Sequence, residues 1–208
     1  MLFRSETEEQ CDAAAAAVKR AGAKVFRGGA FKPRSSPYSF QGHGEAGLKM
    51  LRQAADAHGL KLISEVMDVS QIELIAAYCD IFQVGARNMQ NFTLLKAIAT
   101  VGKPVLLKRG LSATVKEWLA AAEYLAAYGC SDVILCERGI RTFETATRNT
   151  LDLTVLPLLR EWTHLPVVVD PSRACGIPSL IPPLSRASIA AGADGVRSEE
   201  HTSELQSP

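Results

Sequence analysis

The feature that most constrains the fold is a repeated alternation of short apolar runs with longer amphipathic stretches. Runs such as Val105-Leu106-Leu107 and Val167-Val168-Val169 are almost continuously apolar, which is typical of parallel strands that are covered on both faces. The stretches between them have helical periodicity and often end at a glycine. The pattern predicts one strand ending at Arg27 and further strands at residues 61–66, 80–85, 104–108, 132–136 and 166–169. It predicts helices at residues 6–22, 45–58, 71–78, 91–100, 114–128, 151–162 and 185–191.

Strict strand-helix alternation is compatible with two main architectures. A doubly wound sheet usually has one dominant glycine-rich turn after its first strand, whereas a (β/α)8 barrel carries polar residues at many strand ends. Here six successive strands end in polar or charged residues: Arg27; Glu65; Gln83 with Arg87; Lys108 with Arg109; Glu137 with Arg138; and Asp170 with Arg173. We therefore predict an α/β protein with a (β/α)8 barrel, of which six strands can be counted and two are absent.

Composition limits the possible partners. The 208 residues carry a net charge of +1, from 23 basic and 22 acidic side chains, so no overall field attracts nucleic acid or an anionic membrane. The five cysteines are an odd number without a Cys-x-x-Cys pair, which favours reduced thiols over a disulfide framework. Apolar runs stay well short of the roughly 18 residues of a membrane span. We expect a single domain in the cytoplasm.

Local charge at the strand ends is very different from the overall balance. The acids there are Glu65, Asp68, Glu137 and Asp170. The cations are Arg27, Lys32, Arg34, Arg87, Lys108, Arg109, Arg138, Arg141 and Arg173. This surplus predicts an anionic substrate with more than one charged group, and phosphate groups are the natural choice. Surface ion pairs that cap the barrel would explain any single residue but not the recurrence on successive strands.

Two positions leave alternatives open. In residues 25–42, Gly28-Gly29 lets the backbone approach a ligand closely and Lys32-Pro33-Arg34 places two cations on a stiffened turn, although a solvated basic loop would look similar. Lys108 could form a Schiff base if desolvation lowered its pKa. Arg109 beside it makes anion binding the more economical interpretation.

Four segments together resemble a known family. They are residues 27–34 (RGGAFKPR), 85–88 (GARN), 108–110 (KRG) and 136–143 (CERGIRTF), and they are similar to the 3-deoxy-D-arabino-heptulosonate 7-phosphate (DAHP) synthases. The microbial subgroup of that family also shares residues 37–42 (PYSFQG). The resemblance covers residues 6–196. The related 3-deoxy-octulosonate 8-phosphate synthases have a similar barrel and are the second choice.

The resemblance implies an enzyme that condenses phosphoenolpyruvate with erythrose 4-phosphate, the first step of the shikimate pathway to aromatic amino acids. Both substrates are polyanions, and the parent protein is expected to be a homo-oligomer. The residues implied to hold phosphoenolpyruvate are Arg27, Lys32, Arg87, Lys108 and Arg138. Those implied to take part in catalysis are Lys32, Glu65 and Lys108, and those implied to meet the aldose phosphate are Pro33, Arg34 and Ser35.

The resemblance also implies a divalent metal, such as Mn²⁺ or Fe²⁺, that polarises the aldehyde as a Lewis acid. The family pattern after the seventh strand is Asp-Pro-Ser-His, with the histidine as a ligand, whereas this chain has Arg173 there. A guanidinium has no lone pair to offer a cation. The other three family ligands, a cysteine, a glutamate and an aspartate, have no matching position. We expect no complete ligand set in this chain.

The termini look foreign to the family. Residues 197–208 (RSEEHTSELQSP) and residues 1–5 resemble translated sequencing adapter, which leaves residues 6–196 as a partial barrel domain without its first and eighth strands. Such a fragment would have two unpaired edges and is expected to be inactive alone. Two other functions remain open at this point: a Schiff-base aldolase that uses Lys108, and a non-catalytic phosphometabolite binder, suggested by Arg173.

Overall fold

The computed structural model describes residues 7–31, 38 and 42–198. In these residues the strands are β1 Val25–Arg27, β2 Lys61–Val66, β3 Ile81–Val84, β4 Val105–Lys108, β5 Val133–Glu137, β6 Val167–Val169 and β7 Gly195–Val196. The α-helices are α1 Glu8–Arg20, α2 Gly44–Ala57, α3 Ile72–Tyr78, α4 Phe92–Ala99, α5 Val115–Ala127, α6 Val155–Trp162, α7 Pro171–Cys175 and α8 Ile181–Ala190.

All seven strands belong to one parallel sheet, in which each strand pairs with the next one along the chain. Within the described residues β1 pairs only with β2 and β7 only with β6, so the curled sheet has two open edges. Parallel strands end at the same edge of a sheet. The polar residues that close the strands are therefore gathered at one end of the fold.

The two faces of the sheet have different roles. One face packs against the helices and carries the large apolar core, with Phe26, Phe82 and Leu107 fully buried. The other face, which we call the inner face, carries a small apolar cluster centred on Ile63, Leu106 and Cys136. Successive side chains of a strand point to opposite faces, so the neighbours of each inner residue face the helices.

Helix α5 shows how local sequence sets this packing. Thr114 and Glu117 form a capping box at its start, and Trp118, Ala121, Ala122 and Leu125 form the buried stripe. The Trp118 indole Nε1 donates to the carbonyl oxygen of Leu107 at 3.2 Å, which ties the helix to β4.

The six predicted strands are present, each within about a residue of the predicted bounds. Two short elements differ from the prediction. The two-residue strand β7 lies where the eighth barrel strand is expected, and the sequence predicted that strand to be missing. The five-residue helix α7 was not predicted, because one turn is too short to show a periodicity, although Asp170 caps it and Pro171 starts it.

Two helices begin four residues away from their predicted starts: α6 begins at Val155 rather than at residue 151, and α8 at Ile181 rather than at residue 185. The five cysteines are reduced, as predicted. All five thiols are free and buried. In the described part of the chain, no helix combines the length and the apolarity that a membrane crossing requires.

Candidate active site

The predicted site residues that the structure describes lie at the carboxyl ends of the strands. Arg27 ends β1, Glu65 is the penultimate residue of β2, Lys108 ends β4, and Arg138 directly follows β5. Arg87 lies in the single 3-10 turn after β3 and is exposed. Four further predicted residues, Lys32, Pro33, Arg34 and Ser35, lie outside the described residues.

A hydrogen-bonded chain connects the first three strands on the inner face. Arg27 Nη2 donates to Glu65 Oε2 at 3.0 Å, and Gln83 Nε2 donates to the same oxygen at 2.9 Å. The other carboxylate oxygen of Glu65 lies over Gly85, where an added Cβ would be only 2.2 Å from it. Glycine at this position therefore leaves the space that the carboxylate occupies.

Lys108 pairs with Asp170 across β5. Lys108 Nζ lies 3.1 Å from Asp170 Oδ2, and both side chains are buried. Asp170 Oδ1 accepts from the Ser172 hydroxyl at 2.8 Å and from the Arg173 backbone N–H at 3.1 Å, so one carboxylate serves both the lysine and the start of α7. The Arg197 guanidinium also contacts Asp170 Oδ2.

Burial and neighbouring charges set the protonation of this pair. Burial lowers the pKa of Lys108, and the Arg197 charge lowers it further, while Asp170 opposes both. Burial alone would raise the pKa of Asp170, but the charges of Arg197 and Lys108 hold it below its ordinary value.

Arg109 has a different environment from its neighbour Lys108, and this corrects the count of site cations. Its Nη1 contacts Glu137 Oε2 and Asp152 Oδ2, each at 2.9 Å, and its guanidinium lies 5.9 Å from the centre of the Trp118 ring. Arg109 and Glu137 therefore lie on the helix-facing side of the sheet, as alternation along β4 and β5 requires. They belong to the packing and not to the inner face.

Arg138 and Arg173 meet where the loop after β5 reaches α7. Arg138 is 9% exposed, and its Nη2 donates to the Arg173 carbonyl oxygen at 3.4 Å. Burial lowers the pKa of the Arg138 guanidinium, and Asp170 opposes that shift. Gly139, with a positive φ of 89°, lets the chain turn directly after Arg138, and its N–H donates to Glu137 Oε1 at 2.6 Å.

The residues present do not fit the divalent metal of the resembling family. In the described ranges, no three side chains from His, Cys, Asp and Glu come together as a possible metal site. Arg173 is the residue at the family's histidine position, and a guanidinium is no ligand.

Sequence reasoning did not assign a role in the site to Gln83 or to Asp170. Both appeared as polar residues at strand ends, but the sequence does not show that their partners are Glu65 and Lys108, which are 18 and 62 positions away. The available signal was the period of two along each strand, which puts Gln83 and Lys108 on the same face as Ile81 and Leu106.

Comparison with known proteins identifies the family. The model of the DAHP synthetase I family matches residues 5–207. The chain belongs to this family. A phospho-2-dehydro-3-deoxyheptonate aldolase of Thermotoga maritima is 52% identical over 180 residues, which are 86% of this chain and 53% of that protein. The chain thus spans about half the length of this DAHP synthetase relative.

Solved structures of the family show the same fold. The crystal structure of the Thermotoga maritima DAHP synthase superposes with a TM-score of 0.89 at 52% identity, covering 92% of this chain and 56% of that one. A truncated form of the Thermotoga synthase gives a TM-score of 0.89 at 48% identity, covering 97% of this chain and 73% of that one. The curled sheet is therefore part of a (β/α)8 barrel, and the fold predicted from the sequence is confirmed.

The second choice from the sequence is also related, at lower identity. A 2-dehydro-3-deoxyphosphooctonate aldolase of Desulfosudis oleivorans is 28% identical over 180 residues, covering 81% of this chain and 64% of that protein. The similarity to DAHP synthases is much greater.

Proposed function

We propose that the protein to which this chain belongs condenses phosphoenolpyruvate with erythrose 4-phosphate to give 3-deoxy-D-arabino-heptulosonate 7-phosphate and phosphate. The observation that carries the proposal is the 52% identity to the Thermotoga aldolase over most of the chain. We place the enzyme in the cytoplasm, as a homo-oligomer. We propose that this protein uses the divalent metal of its family, and we assign no described residue of this chain as a ligand of that metal.

The charges at the strand ends support a polyanionic substrate. Arg27, Lys108 and Arg138 come from three different strands and converge on one end of the sheet, with Arg87 exposed beside them. Guanidinium groups bind phosphate and carboxylate in bidentate fashion, and a lysine contributes a point charge. We assign the phosphate and carboxylate of phosphoenolpyruvate to Arg27, Lys32, Arg87, Lys108 and Arg138.

The reaction joins the enol carbon of one substrate to the aldehyde carbon of the other, so the chain must align two polyanions and neutralise their charge. Lys108 Nζ, buried and held by Asp170, can donate a hydrogen bond to an oxygen on which negative charge develops. Glu65, held by Arg27, provides a carboxylate oxygen on the same face of the sheet. The loop residues Pro33, Arg34 and Ser35 are proposed to meet the aldose phosphate, and Lys32 to act in catalysis with Glu65 and Lys108.

The proposal can be tested in a chimera in which residues 6–196 replace the matching segment of the Thermotoga maritima relative. Phosphate release from phosphoenolpyruvate is measured with a coupled assay, with and without Mn²⁺, and with four-carbon or five-carbon aldose phosphate. We expect release with erythrose 4-phosphate and its loss in the Lys108→Met chimera.

Three outcomes would count against the proposal. Faster turnover of the five-carbon substrate would assign the chain to the octulosonate branch, since an eight-carbon product requires a five-carbon aldose. Phosphoenolpyruvate binding in calorimetry without turnover under any metal would favour the non-catalytic binder. A chimera that folds but neither binds nor turns over phosphoenolpyruvate would refute both.

A further inference from the structure

Gln83 is the polar side chain that β3 places on the inner face. It is 1% exposed, and its Nε2 donates to Glu65 Oε2 at 2.9 Å. Burying a primary amide costs free energy unless its donors and acceptor are hydrogen-bonded. A leucine would fill a similar volume without that cost, so the position needs an explanation beyond packing.

The carboxylate of Glu65 fixes which way the amide points. An ionised carboxylate only accepts hydrogen bonds, so the NH₂ end of Gln83 faces Glu65 and the Oε1 end is turned away from it. Within the part of the chain that the structure describes, this buried Oε1 has no hydrogen-bond partner. Native structures leave few such atoms unpaired.

Glu65 is in turn held in one orientation. Its Oε2 accepts from both Arg27 and Gln83, and its Oε1 lies in the space that the missing side chain of Gly85 leaves. Lys108, on the neighbouring strand β4, also points to this face. Two acceptor oxygens, Glu65 Oε1 and Gln83 Oε1, thus belong to one hydrogen-bonded unit on a face whose other polar groups are mainly cations.

Acceptors of this kind select for an O–H donor. Ionised phosphoenolpyruvate offers only acceptors, whereas an aldose phosphate carries hydroxyl groups and a water held beside the substrate carries two O–H groups. We propose that Gln83 is a positioning residue: its Nε2 fixes the Glu65 carboxylate, and its Oε1 accepts a hydrogen bond from an O–H group of the aldose phosphate or of a bound water. The proposal rests on the function proposed above and adds a residue that discriminates between the two substrates.

The first test uses the chain itself and needs no turnover. In the ¹⁵N-labelled chain, we expect the side-chain amide protons of Gln83 to exchange with solvent far more slowly than those of the exposed Gln53 on α2. Glu65→Gln should shift the Gln83 amide resonances and leave those of Gln53 unchanged. A Gln83 amide that exchanges as fast as that of Gln53, or ignores Glu65→Gln, would overturn the positioning of Glu65.

The second test uses the chimera with Gln83→Leu, Gln83→Glu and the matched control Gln53→Leu. We expect Gln83→Leu to lower kcat roughly tenfold or more while the KM for phosphoenolpyruvate changes by less than about threefold. A KM for erythrose 4-phosphate that rises in parallel identifies the sugar hydroxyl as the donor, whereas an unchanged KM identifies water. Unchanged kcat and KM values for a folded Gln83→Leu chimera would overturn the proposal.

The pH dependence of kcat in the Gln83→Glu chimera tests whether Gln83 positions Glu65 or only fills space. The new carboxylate repels Glu65 at high pH, but when protonated it restores an O–H donor to Glu65 Oε2. We therefore expect activity relative to the unchanged chimera to recover as the pH is lowered from 8 to 6, and a flat ratio would contradict the idea. If the unchanged chimera shows no turnover, the proposed function fails, and the amide-exchange test still decides whether Gln83 fixes Glu65.

Discussion

Replacing Arg109 by methionine would remove the cation from a carboxylate that the structure buries completely. The side chain of Glu137 has 0% exposure, and its Oε2 lies 2.9 Å from Arg109 Nη1. Asp152, the second partner of Arg109, is 21% exposed and can turn to water. The cost of the substitution therefore arises mainly at Glu137.

The expected magnitude follows from that burial. Removing one partner of a buried ion pair typically costs about 3–5 kcal/mol, because the remaining charge stays desolvated. With a urea dependence of roughly 2–3 kcal/mol per molar, the unfolding midpoint should fall by about 1–2.5 M. Arg160→Met on α6 is the matched control: its pair with Asp194 is about half exposed on the arginine side, and such surface pairs contribute roughly 0–1 kcal/mol.

The effect should also depend on pH. Burial raises the pKa of Glu137 above its ordinary value although Arg109 opposes the shift. A carboxyl whose folded-state pKa is raised binds its proton more tightly in the folded chain. Its contribution to stability is therefore largest below the unfolded pKa of about 4.3 and is lost as the pH rises through the folded pKa. Without Arg109 the pKa of Glu137 rises further. The loss of unfolding free energy caused by Arg109→Met should therefore be small near pH 5 and largest near pH 8.

Trp118 gives a local readout of this site. Its ring packs beside the Arg109 guanidinium, and it is the only tryptophan left in a Trp162→Phe background. Urea unfolding of the dilute chain is followed by Trp118 fluorescence at both pH values. Glu137→Gln should restore much of the lost stability in the Arg109→Met chain, because a neutral amide oxygen can still accept from Gly139. Equal midpoints for Arg109→Met and Arg160→Met, or a deficit that does not change with pH, would refute this reasoning.

Three further predictions follow from the inner face and the sheet edges. Gly85→Ala should weaken phosphoenolpyruvate binding roughly tenfold in calorimetry, because the added Cβ would displace the Glu65 carboxylate. Gly195→Ala, whose Cβ would make an ordinary 3.4 Å contact, is the control, and equal affinities of the two variants would contradict the prediction. Borohydride treatment with either substrate should leave Lys108 unmodified in mass spectrometry, because its ammonium group is paired with Asp170. A covalent adduct on Lys108 would instead support the Schiff-base aldolase. The open edges of β1 and β7 should make the chain self-associate as its concentration rises; a single monomeric species in sedimentation velocity at every concentration would argue otherwise.

The fold was predictable from the sequence because its signals are local. Apolar runs, glycine stops and the period of helices each occupy a few consecutive residues, and the sheet order then follows from right-handed connections between neighbours. The short β7 and α7 were harder, since neither is long enough to show a period. The bounds of α6 also differ: the helix begins at Val155, four residues later than predicted.

The gathering of charged residues at one end of the sheet was predictable from the sequence, but the pairings between them were not. Counting cations at strand ends treated Lys108 and Arg109 alike, although alternation along β4 sends them to opposite faces. The partners Asp170, Glu137 and Gln83 come from other strands, and the sequence contains no signal for which charge meets which. The assignments to Lys32, Pro33, Arg34 and Ser35 remain predictions.

The alternation along β4 bears on how function is transferred between related chains. In the motif Lys108-Arg109-Gly110, the first residue faces the inner side of the sheet, the second holds Glu137 and the loop after β5, and the third has its N–H 3.1 Å from the Met89 sulfur. Three adjacent residues thus meet three separate requirements: Lys108 is proposed to bind the substrate, Arg109 pairs with a buried carboxylate, and Gly110 contacts a neighbouring turn. A related chain that no longer binds the substrate would still need Arg109 and Gly110 for its fold. An intact motif is therefore stronger evidence for a shared fold than for a shared reaction.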